Sequence, residues 1–374
     1  MPRRFAFLVA SVAAVAGVAS PAADNEDHQL NRVWSRMADL TGEFGSVESA
    51  EFSPDSRFIA TGTKYDNTVR VFRTADEVLQ WTTELPAEIE RVAWTGDGRR
   101  VVTGSEDKTV RVIDAEDGAV LKEIAVGSGI DGLELSPGGR LMAVGLEKAD
   151  EAAGDRSDKP VPVILYDTRT WEEVRRLDQR ATANEIAFFP DGRRTVVAGG
   201  RRMRVWEVET GELLGEAEPF TDSENPNNSR FICAKVAPDG RHIAVGANGG
   251  WVYLFDADGR YIRRVNKTGD KIETVEWTKD GRYVLSAGKG NVIDFIAAEH
   301  ALDTRLSNNS VPIAMRIEVT DQIESMHFNA SGALLTTAHQ DGTVQLWTCM
   351  SDNPAINQRS HRRLIRQQID EFGG

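Results

Sequence analysis

One short phrase recurs seven times along this chain: an apolar strand, a Ser-Pro-Asp-Gly-like turn, and a second apolar strand. The turns are Ser53-Pro54-Asp55-Ser56, Thr95-Gly96-Asp97-Gly98, Ser136-Pro137-Gly138-Gly139, Phe189-Pro190-Asp191-Gly192, Ala237-Pro238-Asp239-Gly240, Thr278-Lys279-Asp280-Gly281 and Asn329-Ala330-Ser331-Gly332. Their last residues step along the chain by 42, 41, 53, 48, 41 and 51 positions. A period of about 40–45 residues is the length of one four-stranded sheet in a radial array. The longer steps mark insertions. The repeat therefore sets the fold class: all-β, a seven-bladed β-propeller of four-stranded antiparallel blades. It also overrides the usual reading of 374 residues as two domains.

The first strand of each copy closes on Phe52, Trp94, Leu135, Phe188, Val236, Trp277 or Phe328. Two positions earlier stand Ala50, Val92, Leu133, Ile186, Ala234, Val275 and Met326. Apolar residues spaced by two share one face of a strand, so these rows form the contact between neighbouring blades. Blade seven has three clear strands ending near Met350, and the ring closes if its fourth comes from around Arg32 to Leu40. Pairing the two chain ends in one sheet removes open edges. A helix over 28–40 competes, because Leu30, Val33, Met37 and Leu40 also sit at helical spacing.

These repeats resemble the WD-repeat family over about residues 32 to 350. Trp206 and Trp347 keep the aromatic of its third-strand dipeptide, while Asp114, Asp167 and Asp256 keep the acid. Turns such as Glu106-Asp107-Lys108-Thr109 and Gln340-Asp341-Gly342-Thr343 keep the acid before that strand. The Gly-His dipeptide that usually opens a repeat is missing from all seven copies. The resemblance implies the propeller fold and a scaffold role, and the missing histidines imply blades without the family's Asp-His-Ser/Thr-Trp hydrogen-bond tetrad.

Outside the repeat, Arg3 and Arg4 precede an uncharged apolar run, Phe5 to Val18, and a small-residue stretch, Ala19-Ser20-Pro21-Ala22-Ala23. That pattern predicts a signal peptide over 1–23 and an exported, periplasmic or secreted protein, with an uncleaved anchor as the alternative. The propeller then occupies 24–350, and a polar tail with Arg359, His361, Arg362, Arg363 and Arg366 fills 351–374. Cys233 and Cys349 fall in blades five and seven, too far apart in a ring for a disulfide. A formal charge of −14 argues against a nucleic-acid partner and favours a basic one. No stable membrane insertion is expected once the signal is removed.

Four positions before the closing apolar residue of each first strand stand Glu48, Glu90, Asp131, Asn184, Ile232, Glu273 and Glu324. Five of the seven are acidic, and sevenfold symmetry gathers them around the channel mouth on one rim, the top. Two insertions open on that rim: 147–160, and 221–230 with Asp222 and Glu224. A third, 297–312, belongs to the opposite rim. Long loops on a rigid frame are where binding residues concentrate. Glu48, Glu90, Asp131, Glu273, Glu324, Asp222 and Glu224 are thus the candidate partner-binding residues, and the partner a protein or peptide, with a basic one favoured. No catalytic, metal-binding or cofactor-binding residue is assigned, since no nucleophile elbow, phosphate loop or His-Glu-x-x-His motif occurs. The alternative is a hydrolase or lactonase-like propeller enzyme holding a metal or small ligand at the mouth.

Overall fold

The computed structural model describes residues 33–40, 45–147, 161–220, 230–265, 268, 270–307 and 311–350. They form seven four-stranded antiparallel sheets, and six of these use four strands consecutive in the chain. The seventh has the order Val33–Leu40, Val344–Met350, Leu334–His339, Ile323–Phe328. The N-terminal strand pairs antiparallel with the last one, Leu40 opposite Val344 and Val33 opposite Met350, so the competing helix does not form. The physical reason is local. A helix there would leave the edge of Val344–Met350 unpaired, whereas the strand satisfies its backbone donors and acceptors.

Each blade starts with a hairpin stabilised by its turn. In the first, the Ser53 hydroxyl donates to Asp55 Oδ1 at 2.6 Å, and that oxygen also accepts from the Arg57 amide at 3.0 Å. Thr95 with Asp97 and Thr278 with Asp280 repeat the bond at 2.7 and 2.6 Å. The fourth turn residue needs a left-handed backbone. Six copies supply glycine there, and the first holds Ser56 at φ 60°.

The apolar rows behave as expected. All seven inner residues from Ala50 to Met326 are buried, and Phe52, Trp94, Phe188, Trp277 and Phe328 are buried with them. Spacing between blades depends on a second match. A Cβ on Gly62, Gly104 or Gly246, near the end of a second strand, would stand 2.6 Å from the side chain of Ile89, Ile130 or Ile272 on the next blade. At the closing interface the glycine is replaced by Ala338, and the residue in the isoleucine's place is the smaller Val47, in the same core cluster. There the extra methyl on one side is offset by its loss on the other, whereas Ala287 with Ile323 and Ala198 with Phe231 pack without such an exchange.

The tetrad is not wholly lost, which corrects the expectation from the missing Gly-His dipeptides. In blade seven Trp347 Nε1 donates to Thr337 Oγ1 at 2.9 Å, and that hydroxyl lies 2.8 Å from Nε2 of the fully buried His339. Its Nδ1 reaches the Asp321 carbonyl at 3.3 Å. The histidine comes from the end of the second strand instead of the loop before the first. In blade four the buried Gln179 takes a comparable place, with its Oε1 3.5 Å from Trp206 Nε1. Residues 1–23, the tail 351–374 and the insertion tips 148–160 and 221–229 lie outside the described residues.

The glycine–isoleucine match makes a direct prediction. Gly104→Ala lowers unfolding free energy by about 1–3 kcal/mol through overpacking, and Ile130→Val in the same chain restores a large part of it. Additive losses in a denaturant double-mutant cycle would remove the account.

Candidate functional site

The seven first strands converge on the central axis, and a recurring irregularity turns selected side chains toward it. Strand alternation alone would place Glu48 on the face of Ala50 and Phe52, inside the blade contact. The pairing register instead shifts between Val47 and Ser49, between Ile89 and Arg91, and between Ile130 and Gly132. It shifts likewise between Phe231 and Cys233, Ile272 and Thr274, and Ile323 and Ser325. The extra residue in these six bulges is Glu48, Glu90, Asp131, Ile232, Glu273 or Glu324. A bulge re-aims its residue, here toward the mouth. In blade four Asn184 immediately precedes the strand Glu185–Phe188.

All seven of these positions line one cavity of about 290 Å³ at the top of the axis. Glu48, Glu90, Asp131, Glu273 and Glu324 are therefore brought together by the fold. Asp222 and Glu224 lie outside the described residues.

The ring is not purely acidic. Lys64, Lys271, Lys289 and Arg91 line the same cavity. Lys64 Nζ stands 3.2 Å from Glu88 and 3.5 Å from Glu90, and Lys271 Nζ stands 2.6 Å from Glu273. Arg91 donates to the carbonyls of Glu90 and Asn184 at 2.9 and 3.2 Å. Lys64 and Lys289 follow the second strands of their blades, at the place that Gln340 takes in blade seven. Aligning that position as well as the first strands would have revealed them.

Compensation is uneven around the mouth. On blades two and three, Asp131 is pushed up to about 7 by its burial and by Glu90, with Glu147 and Glu106 adding to it and Arg91 opposing. Burial and Glu90 also raise Glu106. Near blade seven, burial together with Glu273 and Glu48 pushes Glu324 up to about 7. Tyr65 overhangs this lip with 70% of its surface exposed and a backbone φ of 76°, a conformation rare for a bulky side chain. Strained backbone of this kind concentrates at binding sites.

Below the mouth the axis is closed by charge. Arg91 and Lys235 both approach Glu185, at 3.6 and 3.5 Å, and His327 Nε2 lies 3.9 Å from Glu51. The free space at this waist is about 10 Å³, close to a single water position. A second cavity of about 280 Å³ opens beneath it, between Glu51, Glu134, Glu276, Lys235, Lys279 and His327. Burial works against the Lys235 ammonium, yet Glu185, Glu134, Glu276 and Glu51 outweigh it and hold the group firmly charged. Burial pushes Glu134 up to about 7 against the pull of Lys235. His327 is held well below its usual value by burial and by Lys235 and Arg91. Among the described residues no group of three or more His, Cys, Asp or Glu has the arrangement of a metal site. Cys233 is buried and unpaired, with its thiol pushed above its usual value by burial.

The mouth acids carry a pH signature with a definite sign. Asp131 binds a proton more tightly in the folded chain than at its usual value of 3.8. Its contribution to stability is full below that value and is lost as pH rises through about 7. Asp131→Asn is expected to raise stability at pH 8 by about 3–4 kcal/mol and to leave it nearly unchanged at pH 4. Denaturant titrations of both proteins across this range test it, and parallel stability curves would refute it.

Two family models match the chain: the anaphase-promoting complex subunit 4 WD40 domain over residues 50–136, and the WD domain, G-beta repeat over 317–348. A serine-threonine kinase receptor-associated protein of Gallus gallus is 23% identical, over 56% of this chain and 54% of that protein. THO complex subunit 3 of Arabidopsis thaliana is 24% identical, over 74% of this chain and 89% of that protein. Pre-mRNA-processing factor 19 of Oryza sativa subsp. japonica is 23% identical, over 58% of this chain and 39% of that protein. The chain thus spans about half the length of the first of these. Such relatives point to work inside the cell, and they overturn the export expected from residues 1–23. That expectation rested on residue type alone, in a stretch outside the described residues.

Proposed function

The chain belongs to the WD-repeat β-propellers, and we propose that it is a non-catalytic scaffold that binds a basic protein or peptide at the top mouth of its axis. The observation that carries this reading is the convergence of Glu48, Glu90, Asp131, Glu273 and Glu324 on one cavity. Their bulges are built into the frame, so a partner meets carboxylates already in place and loses less ordering entropy than on a floppy surface. Asp131 and Glu324 are raised first by burial and then by their acidic neighbours, and an incoming ammonium or guanidinium relieves that second, repulsive part. Tyr65 adds an exposed aromatic surface at the rim, the residue type that most often anchors an interface. The relatives' names agree with an interaction role: one is called a complex subunit, another a receptor-associated protein.

The deciding experiment is a capture from soluble cell extract with the wild-type chain and with Glu90→Gln/Asp131→Asn/Glu273→Gln. Circular dichroism and the thermal midpoint serve as folding controls. A partner held by the wild type and reduced at least tenfold in the folded variant supports the reading. The same partner held equally by both places binding away from the mouth and ends it. Tyr65→Ala in parallel is expected to weaken capture by about 1–2 kcal/mol without loss of stability.

A further inference from the structure

Charge is unevenly compensated around the mouth. Blade six contributes Lys271, Lys289 and Glu273 to the cavity, with Lys271 Nζ paired to Glu273 at 2.6 Å, and blade three, across the sevenfold ring from it, contributes Asp131. Behind Asp131 stand two more carboxylates. A Cβ placed on Gly129 would meet Glu106 at 2.8 Å and Glu147 at 3.0 Å, so both acids lean over the same spot at the edge of blades two and three. Among the described residues the Lys289 ammonium forms no hydrogen bond or ion pair. On that side Lys289 and Lys271 act on the nearby Glu324, and on the other side Asp131 stands beside Glu90, Glu147 and Glu106 with only Arg91 opposing.

A third observation bears on the ligand. Ser46, only 3% exposed, lines the same cavity, and its hydroxyl has no hydrogen-bond partner. A buried hydroxyl without a partner is costly and is met by a polar group brought from outside. At about 290 Å³ the cavity lies at the small end of ligand sites, which suits one residue better than a folded element.

We propose that the mouth receives the C-terminus of a peptide whose last residue is lysine or arginine. The terminal carboxylate lies toward Lys289, and the side-chain cation toward Asp131 and Glu90. This rests on the basic-partner reading above and narrows it. A chain end is what supplies both charges within one residue, and charge-assisted hydrogen bonds at both ends fix its direction. An internal lysine would leave Lys289 unmatched, and an acidic terminus would meet the carboxylate lip.

The test uses the whole chain and fluorescein-labelled Gly-Ser-Ala-Ala-Lys in three forms: free acid, C-terminal amide, and with norleucine replacing lysine. By fluorescence anisotropy at low salt, the free acid is expected to bind about tenfold more tightly than either of the others. Lys289→Gln removes the preference for acid over amide and keeps that for lysine over norleucine. Asp131→Asn does the reverse. Both substitutions sit on the rim, and the thermal midpoint confirms that each variant is folded. Equal binding of acid and amide, lost together in Glu90→Gln/Asp131→Asn/Glu273→Gln, overturns this inference and leaves the basic-partner function standing. Failure of every peptide to bind also overturns it, and the extract experiment then decides the broader reading alone.

Discussion

Everything in this structure depends on the distance between adjacent blades. At three interfaces that distance is set where a glycine near the end of one second strand receives an isoleucine from the next blade, as in Gly62 against Ile89 and Gly104 against Ile130. There the sheets approach so closely that a Cβ on the glycine would overlap its neighbour. The close approach draws the seven first strands together around the axis and leaves two cavities and a narrow waist. At the closing interface Ala338 meets the smaller Val47, while Ala287 packs with Ile323 and Ala198 with Phe231 without that trade. The N-terminal strand then pairs along Val344–Met350 and completes the last sheet.

Convergence has an electrostatic consequence. Seven strands bring their axial side chains close, and this chain puts charged groups at most of those places. At the waist, Lys235 is surrounded by carboxylates from blades one, three, four and six, and stays charged against its own burial. At the mouth, compensation is incomplete, and Asp131 and Glu324 are pushed toward neutrality by burial and their acidic neighbours. Buried ion networks seldom add much net stability. The waist is better understood as an electrostatic plug that separates upper and lower cavities, and the mouth as a surface on which acidic repulsion is only partly compensated.

Much of the fold was legible because repetition is visible without coordinates. Seven turns recurring at steps of 41 to 53 positions identify the blades, and the apolar rows ending at Phe52 or Trp277 identify the faces that touch. The acidic positions were legible by the same alignment. Their cationic neighbours were not. Lys64 and Lys289 lie at the ends of second strands, and Lys271 just before a first strand, so no single aligned row contains them all. The residual tetrad of blade seven escaped for a similar reason. His339 reaches Thr337 and Trp347 from an unfamiliar place in the repeat.

The sequence by itself determined the number of blades, the strand order and the residues that face their neighbours, because these follow from period and polarity along one dimension. Only the tertiary structure decided which way the acidic residues point, since a period-of-two strand buries Glu48 beside Ala50 and the bulge that frees it is a property of pairing. It also decided the sign of charge in each sector of the mouth. That outcome depends on side chains far apart in the chain, brought within a few ångströms by closure of the ring, and no local pattern records such a distance.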